Sequence, residues 1–275
     1  MRKIVAYLFQ WIFKIPFCRN YFFGIHQRVF QPYNLFKNVK VSYHYQGYKL
    51  QLHLEDWIQQ CLFFTGEYEK AELKVLTHLL KDDSVFIDIG ANIGLYSLRA
   101  TDKIKDKGKV IGFEPFIENY KQLKKHVVSN KLSTIITIEN VAIGESDGKL
   151  QLYYSDKIQN RGMVSAVYQE NAKSYEVEMM RLDDYCAHNN INTINCVKID
   201  VEGYEMNVLK GMTNVLQQFQ PILLLEILEE STGQIESFLS NFGYLKYYIS
   251  DNGFVVKENN NPNRKNYIFS VASLA

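Results

Sequence analysis

The chain has few of the features that would classify it at a glance. It contains four cysteines, Cys18, Cys61, Cys186 and Cys196, widely spaced and with no Cys-x-x-Cys pair. That spacing excludes the usual zinc-ligand arrangement and offers no disulfide framework, so a reduced, cytoplasmic setting is expected. Charge of one sign is lacking as well. Lys plus Arg is 31 against 30 Asp plus Glu, and no global field favours nucleic acid as a partner. Neither a repeat nor a low-complexity linker is present. The apolar stretch from Ile4 to Phe13 falls short of the about 20 residues that cross a bilayer. It follows Met1-Arg2-Lys3, as a signal peptide would, but Ile15-Pro16-Phe17-Cys18-Arg19 offers no small-x-small cleavage site. The histidines show no pairing at metal spacing, and His126 and His188 read as ordinary helix and loop residues.

Aromatic residues, by contrast, make up 14% of the chain, which supplies both a core and an apolar groove for a bulky substrate. Residues 1–38 read as one or two short aromatic-rich helices. Trp11 and its neighbours lie among Arg2, Lys3, Lys14 and Arg19. This stretch is expected to pack on the main domain or on a second copy of the chain, or to lie in a membrane interface through residues 1–30. Alternation over 39–54 around Gln46-Gly47 predicts a hairpin. A helix is expected over 67–80, with Leu73, Leu76, Leu79 and Leu80 on one face.

From Val85 onward, strands and helices alternate. Strands are expected at 85–88, 109–113, 135–140, 195–201, 221–226, 244–249 and 267–272. Helices are expected at 93–103, 117–130, 204–218 and 232–242, with extra strands at 149–154 and 175–180. This pattern predicts an α/β, Rossmann-like fold with a mostly parallel sheet, helices on both faces and an antiparallel hairpin at the C-terminal edge. The partition is an N-terminal extension, 1–65, and a main domain, 66–275.

One segment carries a specific chemistry. The strand Val85-Phe86-Ile87-Asp88 runs into Ile89-Gly90-Ala91-Asn92-Ile93-Gly94, and Glu114 ends the next strand, Lys109-Val-Ile-Gly-Phe-Glu. A glycine turn after a parallel strand, with an acid on the neighbouring strand for two ribose hydroxyls, is a nucleotide-type cradle. The spacing is Asp-x-Gly-x-x-x-Gly, without a glycine at Asn92. Asp88 would repel a pyrophosphate and attract an ammonium, which favours S-adenosyl-L-methionine over NAD.

Six ordered blocks together resemble the FkbM-type methyltransferases. They are Val85–Gly94, Gly112-Phe-Glu-Pro115, Asn140-Val-Ala-Ile-Gly144, Arg181-Leu-Asp-Asp184, Val197-Lys-Ile-Asp-Val-Glu-Gly-Tyr-Glu205 with Leu209-Lys-Gly211, and Pro221–Glu226. The resemblance covers about residues 66–250. It implies a class I methyltransferase fold and an O-methyltransferase that uses S-adenosyl-L-methionine. Arg181 stands where the family usually has threonine before Leu-Asp-Asp.

The resemblance further implies that Asp88, Gly90, Asn92 and Gly94 hold the methionine end, that Glu114 binds the two ribose hydroxyls, and that Pro115 and Asp200 also belong to the cofactor site. Val141 and Ala142 would contact the adenine through their backbone, with Phe113 and Phe116 close by or simply in the core. Strand alternation puts Lys198 and Asp200 on one face, and a lysine in a buried strand needs a partner, Asp88 or Asp200. Lys198, Asp200 and Glu202 are the candidate catalytic group. Clustering with Glu205 raises carboxylate pKa values and suits one of them to act as a base. Asp200 and Glu226 are the alternative ligands of a divalent ion such as Mg²⁺. The loop Gln159–Ser165 is expected to act as a lid. No Ser-His-Asp or Cys-His constellation is evident, in keeping with direct methyl transfer to a glycan, cell-envelope or natural-product hydroxyl. The competing readings are an NAD-dependent oxidoreductase and a catalytically silent scaffold; a homo-oligomer is a further partner expectation.

Overall fold

The computed structural model describes residues 1–154, 166, 172–259 and 264–274. They fall into two compact units, Met1–Glu69 and, from Lys70 onward, the remainder.

In the first unit, α1 (Arg2–Phe13) is followed by two single turns, α2 (Pro16–Arg19) and α3 (Phe22–Ile25). A π-helical turn, His26–Phe30, continues from α3. Aromatic edges hold these pieces together. The Phe13 ring lies 5.4 Å from Phe22 and 5.9 Å from Phe64, and Phe30 lies 4.8 Å from Phe36. Such edge-to-face pairs are favoured by the ring quadrupoles. Strands β1 (Lys40–Tyr45) and β2 (Tyr48–His53) form the expected hairpin. Gln46 and Gly47 both take positive φ, 46° and 94°, the type I′ signature that matches strand twist. Helix α4 (Trp57–Thr65) was not foreseen. Its marks are an N-cap, Asp56, accepting from the Gln59 N–H at 3.0 Å, and Gly66 closing the helix at φ 73°.

The second unit begins with α5 (Lys70–Leu79), β3 (Val85–Ile89), α6 (Leu95–Ala100), β4 (Lys109–Phe113), α7 (Ile117–Ser129) and β5 (Ile136–Glu139). Next come β6 (Ala142–Ile143), β7 (Gly148–Tyr154) and β8 (Lys173–Met180), a separate three-stranded sheet ordered β6-β8-β7. Then follow α8 (Leu182–His188), β9 (Cys196–Ile199), α9 (Glu205–Lys210), α10 (Thr213–Gln218), β10 (Ile222–Glu226), α11 (Thr232–Ser240), β11 (Leu245–Ile249), β12 (Val255–Val256) and β13 (Asn266–Ser270).

The main sheet has eight strands in the order β12-β11-β13-β10-β9-β3-β4-β5. The pairs from β10 through β5 are parallel and the rest are antiparallel. The chain starts at the centre on β3 and moves outward through β4 and β5. It then returns to build the other half from β9. The switch point therefore lies between β3 and β9, where open α/β sheets bind ligands at the carboxyl ends of their strands. In register, Asp88 faces Gly112 on one side and Lys198 on the other. The core strands are buried on both faces, as their apolar runs require: Phe86, Ile87, Val110, Val197 and Leu224 are all sealed from solvent.

Two expectations need correction. Residues 204–218 form two helices, not one. Gly211 ends α9 where its backbone passes Gly144: a Cβ there would stand 1.8 Å from the Gly144 carbonyl oxygen. Asp183 then caps the second helix from a distance, accepting from the N–H groups of Asn214 at 3.1 Å and Val215 at 3.0 Å. The C-terminal strands are likewise not a simple hairpin. β11 and β13 pair antiparallel, but the tight turn at Asp251–Gly253 leads into the short β12 on the outside, while β13 inserts between β11 and β10.

Candidate functional site

Burial decides the behaviour of Asp88. It is closed to solvent, and its Oδ2 accepts from the Ser97 hydroxyl at 2.6 Å. Its Oδ1 has no hydrogen-bond partner, an orphan of the kind that a ligand donor satisfies at a functional site. Burial pushes the Asp88 carboxyl above its ordinary value, against the pull of nearby Lys198 and the Ser97 hydroxyl.

The turn after β3 is held from three sides. Gly90 and Ala91 both donate their N–H to the Phe113 carbonyl at 3.0 Å. His126 Nδ1 lies 2.8 Å from the Ile93 carbonyl oxygen. Gly90 has φ 78°, and a Cβ there would stand 1.8 Å from the Asp200 carbonyl oxygen. The glycine therefore makes room for the end of β9 as much as for any ligand. Gly94, at φ 89°, lets α6 start against Leu123 of α7, whose Cδ1 a Cβ would meet at 2.2 Å. Asn92 has φ 50°, the left-handed conformation that asparagine tolerates, so the position without glycine still bends as a glycine would.

Glu114 lies across this turn, 5% exposed. The Asn92 N–H donates to its Oε2 at 2.7 Å and the Phe116 N–H to its Oε1 at 2.8 Å. Each oxygen keeps a further lone pair for a hydroxyl donor. Burial raises the Glu114 carboxyl to about 7; the two backbone donors oppose the shift, and the charges of Asp88 and Asp200 add to it. Asn140 Nδ2 donates to the carbonyls of Glu114 and Pro115 at 2.8 and 2.9 Å, and the Tyr175 hydroxyl donates to the Pro115 carbonyl at 3.1 Å. Phe116, Tyr154 and Tyr175 form an aromatic triangle beside this corner, with centroids 5.5 to 6.0 Å apart. Phe113 is a core residue, closed to solvent and edge-on to Tyr185 at 4.8 Å. Ala142 is buried in β6, and Val141 packs partly buried against the core.

On β9 the lysine finds its partner. Lys198 Nζ donates to Asp200 Oδ2 at 2.8 Å and stands 4.4 Å from the Tyr96 ring centroid. The lysine side chain is 4% exposed and the aspartate 25%, so Asp200 is the member that meets solvent. Glu202 follows at φ 52°, a conformation rare outside glycine and asparagine. Its carboxyl is raised to about 7, by burial first and then by the charges of Asp200 and Glu205. Glu205 is buried, accepts from the Gly203 N–H at 2.9 Å, and is also raised, mainly by burial. Glu226 ends β10, the strand beside β9.

Among the described residues, no three His, Cys, Asp or Glu side chains gather closely enough to hold a metal ion. Asp200 and Glu226 thus lack a third protein ligand, and the Mg²⁺ reading loses its support. The loop Gln159–Ser165, expected to be a lid, lies outside the described residues. Cys61, Cys186 and Cys196 are buried thiols raised to about 12 by burial. No helix among the described residues is long and apolar enough to cross a membrane.

Sequence reasoning overlooked the supports. His126, read as an ordinary helix residue, pins the glycine turn. Ser97 and Tyr96 stand at the start of α6, directly after that turn, and reach Asp88 and Lys198. Asn140 was seen only as part of a block, though an amide following a parallel strand is a recognisable clamp for a neighbouring loop. Arg181, the departure from the family pattern, pairs with Asp183 at 3.0 Å and Asp184 at 3.6 Å. It therefore supports the Asp183 carboxylate that caps α10.

Residues 88–246 match the model of the methyltransferase FkbM domain. Among curated proteins, the chain is 26% identical over 156 residues to the hexuronic acid methyltransferase AglP of Haloferax volcanii, covering 57% of this chain and 61% of that one. It is 26% identical over 149 residues to methyltransferase 1 of Beauveria bassiana, covering 48% and 59%. It is 27% identical over 197 residues to methyltransferase sdnD of Sordaria araneosa, covering 60% and 75%. The chain thus spans about three fifths of the length of the first two. A crystal structure of an FkbM methyltransferase from Methylobacillus flagellatus aligns with a TM-score of 0.49 at 17% identity, over 78% of this chain and 55% of that one.

Proposed function

The chain belongs to the FkbM methyltransferase family, and on that premise we propose that it moves a methyl group from S-adenosyl-L-methionine to a hydroxyl of a glycan, cell-envelope or natural-product acceptor. The observation that carries this reading is the arrangement of acids around the switch point. Asp88 stands one residue before the end of β3 with an orphaned Oδ1, Glu114 directly follows β4, and Asp200 and Glu202 follow β9. These residues suit the cofactor: an orphaned buried acceptor and a net negative turn favour an ammonium, and a carboxylate with lone pairs to spare favours a diol. Bound S-adenosyl-L-methionine supplies an electrophilic methyl on a sulfonium whose leaving group departs neutral.

What remains for the chain is to orient and to move a proton. Asp88, with Gly90, Asn92 and Gly94, fixes the methionine end. Glu114, held by the Asn92 and Phe116 N–H groups, presents its remaining lone pairs to the ribose. Pro115, Val141, Ala142 and the Phe116–Tyr154–Tyr175 triangle border the adenine end. Lys198 holds Asp200 in one orientation, so that Asp200 positions the acceptor hydroxyl. Glu202 accepts the hydroxyl proton: a carboxylate raised to about 7 is a stronger base than an ordinary one and is still about half ionised near neutrality.

A sugar acceptor is favoured because one relative carries the name hexuronic acid methyltransferase. The balanced overall charge supports a small-molecule or glycan acceptor over nucleic acid. The partner proposed beyond the acceptor is a membrane surface met through residues 1–30, with a second copy of the chain as its competitor. The test is incubation with isotopically labelled S-adenosyl-L-methionine and a panel of uronic acids, glycans and cell-envelope extracts, followed by mass analysis. Label on an acceptor oxygen is expected. Label on nitrogen or carbon only, or exchange with NAD in place of the methyl donor, contradicts the reading.

A further inference from the structure

Helix α1 is apolar on two opposite faces. Ala6 and Phe13 are buried, and Phe9 stacks on Phe13 and meets Phe30 edge-to-face. On the other side, Ile4, Tyr7, Leu8 and Trp11 recur at i, i+3, i+4 and i+7, the spacing of a single helical stripe. All four are exposed: Ile4 at 75%, Leu8 at 57% and Trp11 at 65%. Phe17, just beyond the helix, is exposed at 69%. A continuous apolar stripe facing water on the outside of an otherwise packed unit calls for an occupant.

Charge identifies that occupant. The first 54 residues contain eight Lys and Arg and no Asp or Glu; the first acid in the chain is Glu55. The rest of the chain is correspondingly acidic, so the near-neutral total conceals a strongly basic N-terminal unit. Lys3 and Lys14 stand about a quarter turn from the exposed stripe, given about 100° of rotation per residue, and both are exposed. A second copy meeting this face symmetrically would bring two basic surfaces together, which repel. An anionic lipid surface offers negative headgroups to the lysines, an interfacial layer to Trp11 and Tyr7, and hydrocarbon to Ile4 and Leu8.

We propose that the N-terminal unit docks on anionic lipid bilayers through the Ile4–Leu8–Trp11 stripe of α1, lying in the interface without crossing it. This gives the membrane contact proposed above a defined face and a lipid preference. It does not depend on the methyl-transfer chemistry, because docking needs neither methyl donor nor acceptor. The consequence for function is that the acceptor would be met at a lipid surface, as lipid-linked or membrane-bound glycans are.

The test is flotation of the full chain with vesicles of phosphatidylcholine containing about one third phosphatidylglycerol, against vesicles of phosphatidylcholine alone. Flotation with the anionic vesicles is expected. It should be weakened at least tenfold by L8E/W11E and several-fold by K3E/K14E or by high salt. These side chains are exposed, so circular dichroism of both variants should match the wild type. Vesicles with brominated acyl chains should quench tryptophan fluorescence in the wild type and not in L8E/W11E. Wild type that stays in solution, or L8E/W11E that floats equally, overturns the proposal. So does a wild-type dimer that L8E/W11E dissolves in the absence of any flotation, which would assign the stripe to a second copy. Failure in any of these forms leaves the methyl-transfer assay unaffected.

Discussion

Lys198 and Asp200 stand two residues apart on the same side of β9, with Nζ 2.8 Å from Oδ2, and Asp88 lies beside Lys198 in the register of β3. One buried cation thus serves two carboxylates from neighbouring parallel strands. Removing it should leave uncompensated charge in the interior. Lys198→Met is expected to lower unfolding free energy by about 3–5 kcal/mol. Adding Asp88→Asn should recover part of that loss, because the charge left unpaired is then gone. A denaturant titration that shows a loss below about 1 kcal/mol for Lys198→Met would mark the pair as energetically idle.

Asp200→Asn keeps the size of the side chain and removes its charge. Turnover should fall by about a hundredfold or more, the scale of a lost acid–base or positioning group. Affinity for S-adenosylhomocysteine should change by only a few-fold. Calorimetry beside a turnover assay separates the two effects. Equal losses in both would move Asp200 into the cofactor contact.

The proposed base, Glu202, must be ionised to accept a proton, and its carboxyl is raised to about 7. Turnover at saturating acceptor should therefore climb as pH rises through about 7 and level off above it. Glu202→Gln should remove this limb from the profile and reduce the plateau. If the limb persists in Glu202→Gln, another group accepts the proton.

Glu114 makes a separate prediction about stability. Its folded-state value, about 7, lies above the ordinary 4.5, so the folded protein retains a proton that the unfolded chain has already released. A raised carboxyl costs stability as pH rises from about 4.5 toward 7, and the cost is complete above that window. At about 1.4 kcal/mol per pKa unit the cost is roughly 3 kcal/mol for this buried group. Glu114→Gln should flatten the fall in melting temperature across that window. An identical slope in the variant would show that Glu114 is not the group responsible.

Two glycines should respond to alanine in opposite directions. Gly211 has an ordinary φ of −79°, but its Cβ would stand 1.8 Å from the Gly144 carbonyl oxygen. Gly211→Ala should cost about 2 kcal/mol or more through backbone displacement. Gly233 lies in α11 with nothing within 4 Å of a Cβ, and Gly233→Ala should stabilise by about 0.5–1 kcal/mol. Thermal melts of both variants decide the matter.

The parallel half of the sheet was legible because buried strands announce themselves as short apolar runs and their acids fall at the carboxyl ends. Asp88, Glu114 and Asp200 fall at those carboxyl ends on the sequence pattern alone. Long-range supports were not legible. Asp183 caps a helix some thirty residues later in the chain, and His126 braces a turn 33 residues earlier; neither relation leaves a local pattern. Helix α4 was missed although its capping residues, Asp56 and Gly66, bracket it in the sequence. The break at Gly211 was hidden because α9 and α10 share one continuous apolar periodicity. The insertion of β13 between β10 and β11 follows from sheet topology, which strand patterns alone do not order.

The central claim is that the carboxyl edge of β3, β4 and β9 binds S-adenosyl-L-methionine, with Glu114 on the ribose. Titration calorimetry of S-adenosylhomocysteine into the wild-type chain and into Glu114→Ala tests it most directly. Saturable binding by the wild type is expected, weakened at least tenfold in the variant by the loss of charge-assisted hydrogen bonds worth about 1.5–3 kcal/mol each. No detectable binding by a folded wild-type chain, or the same affinity in Glu114→Ala, would contradict it.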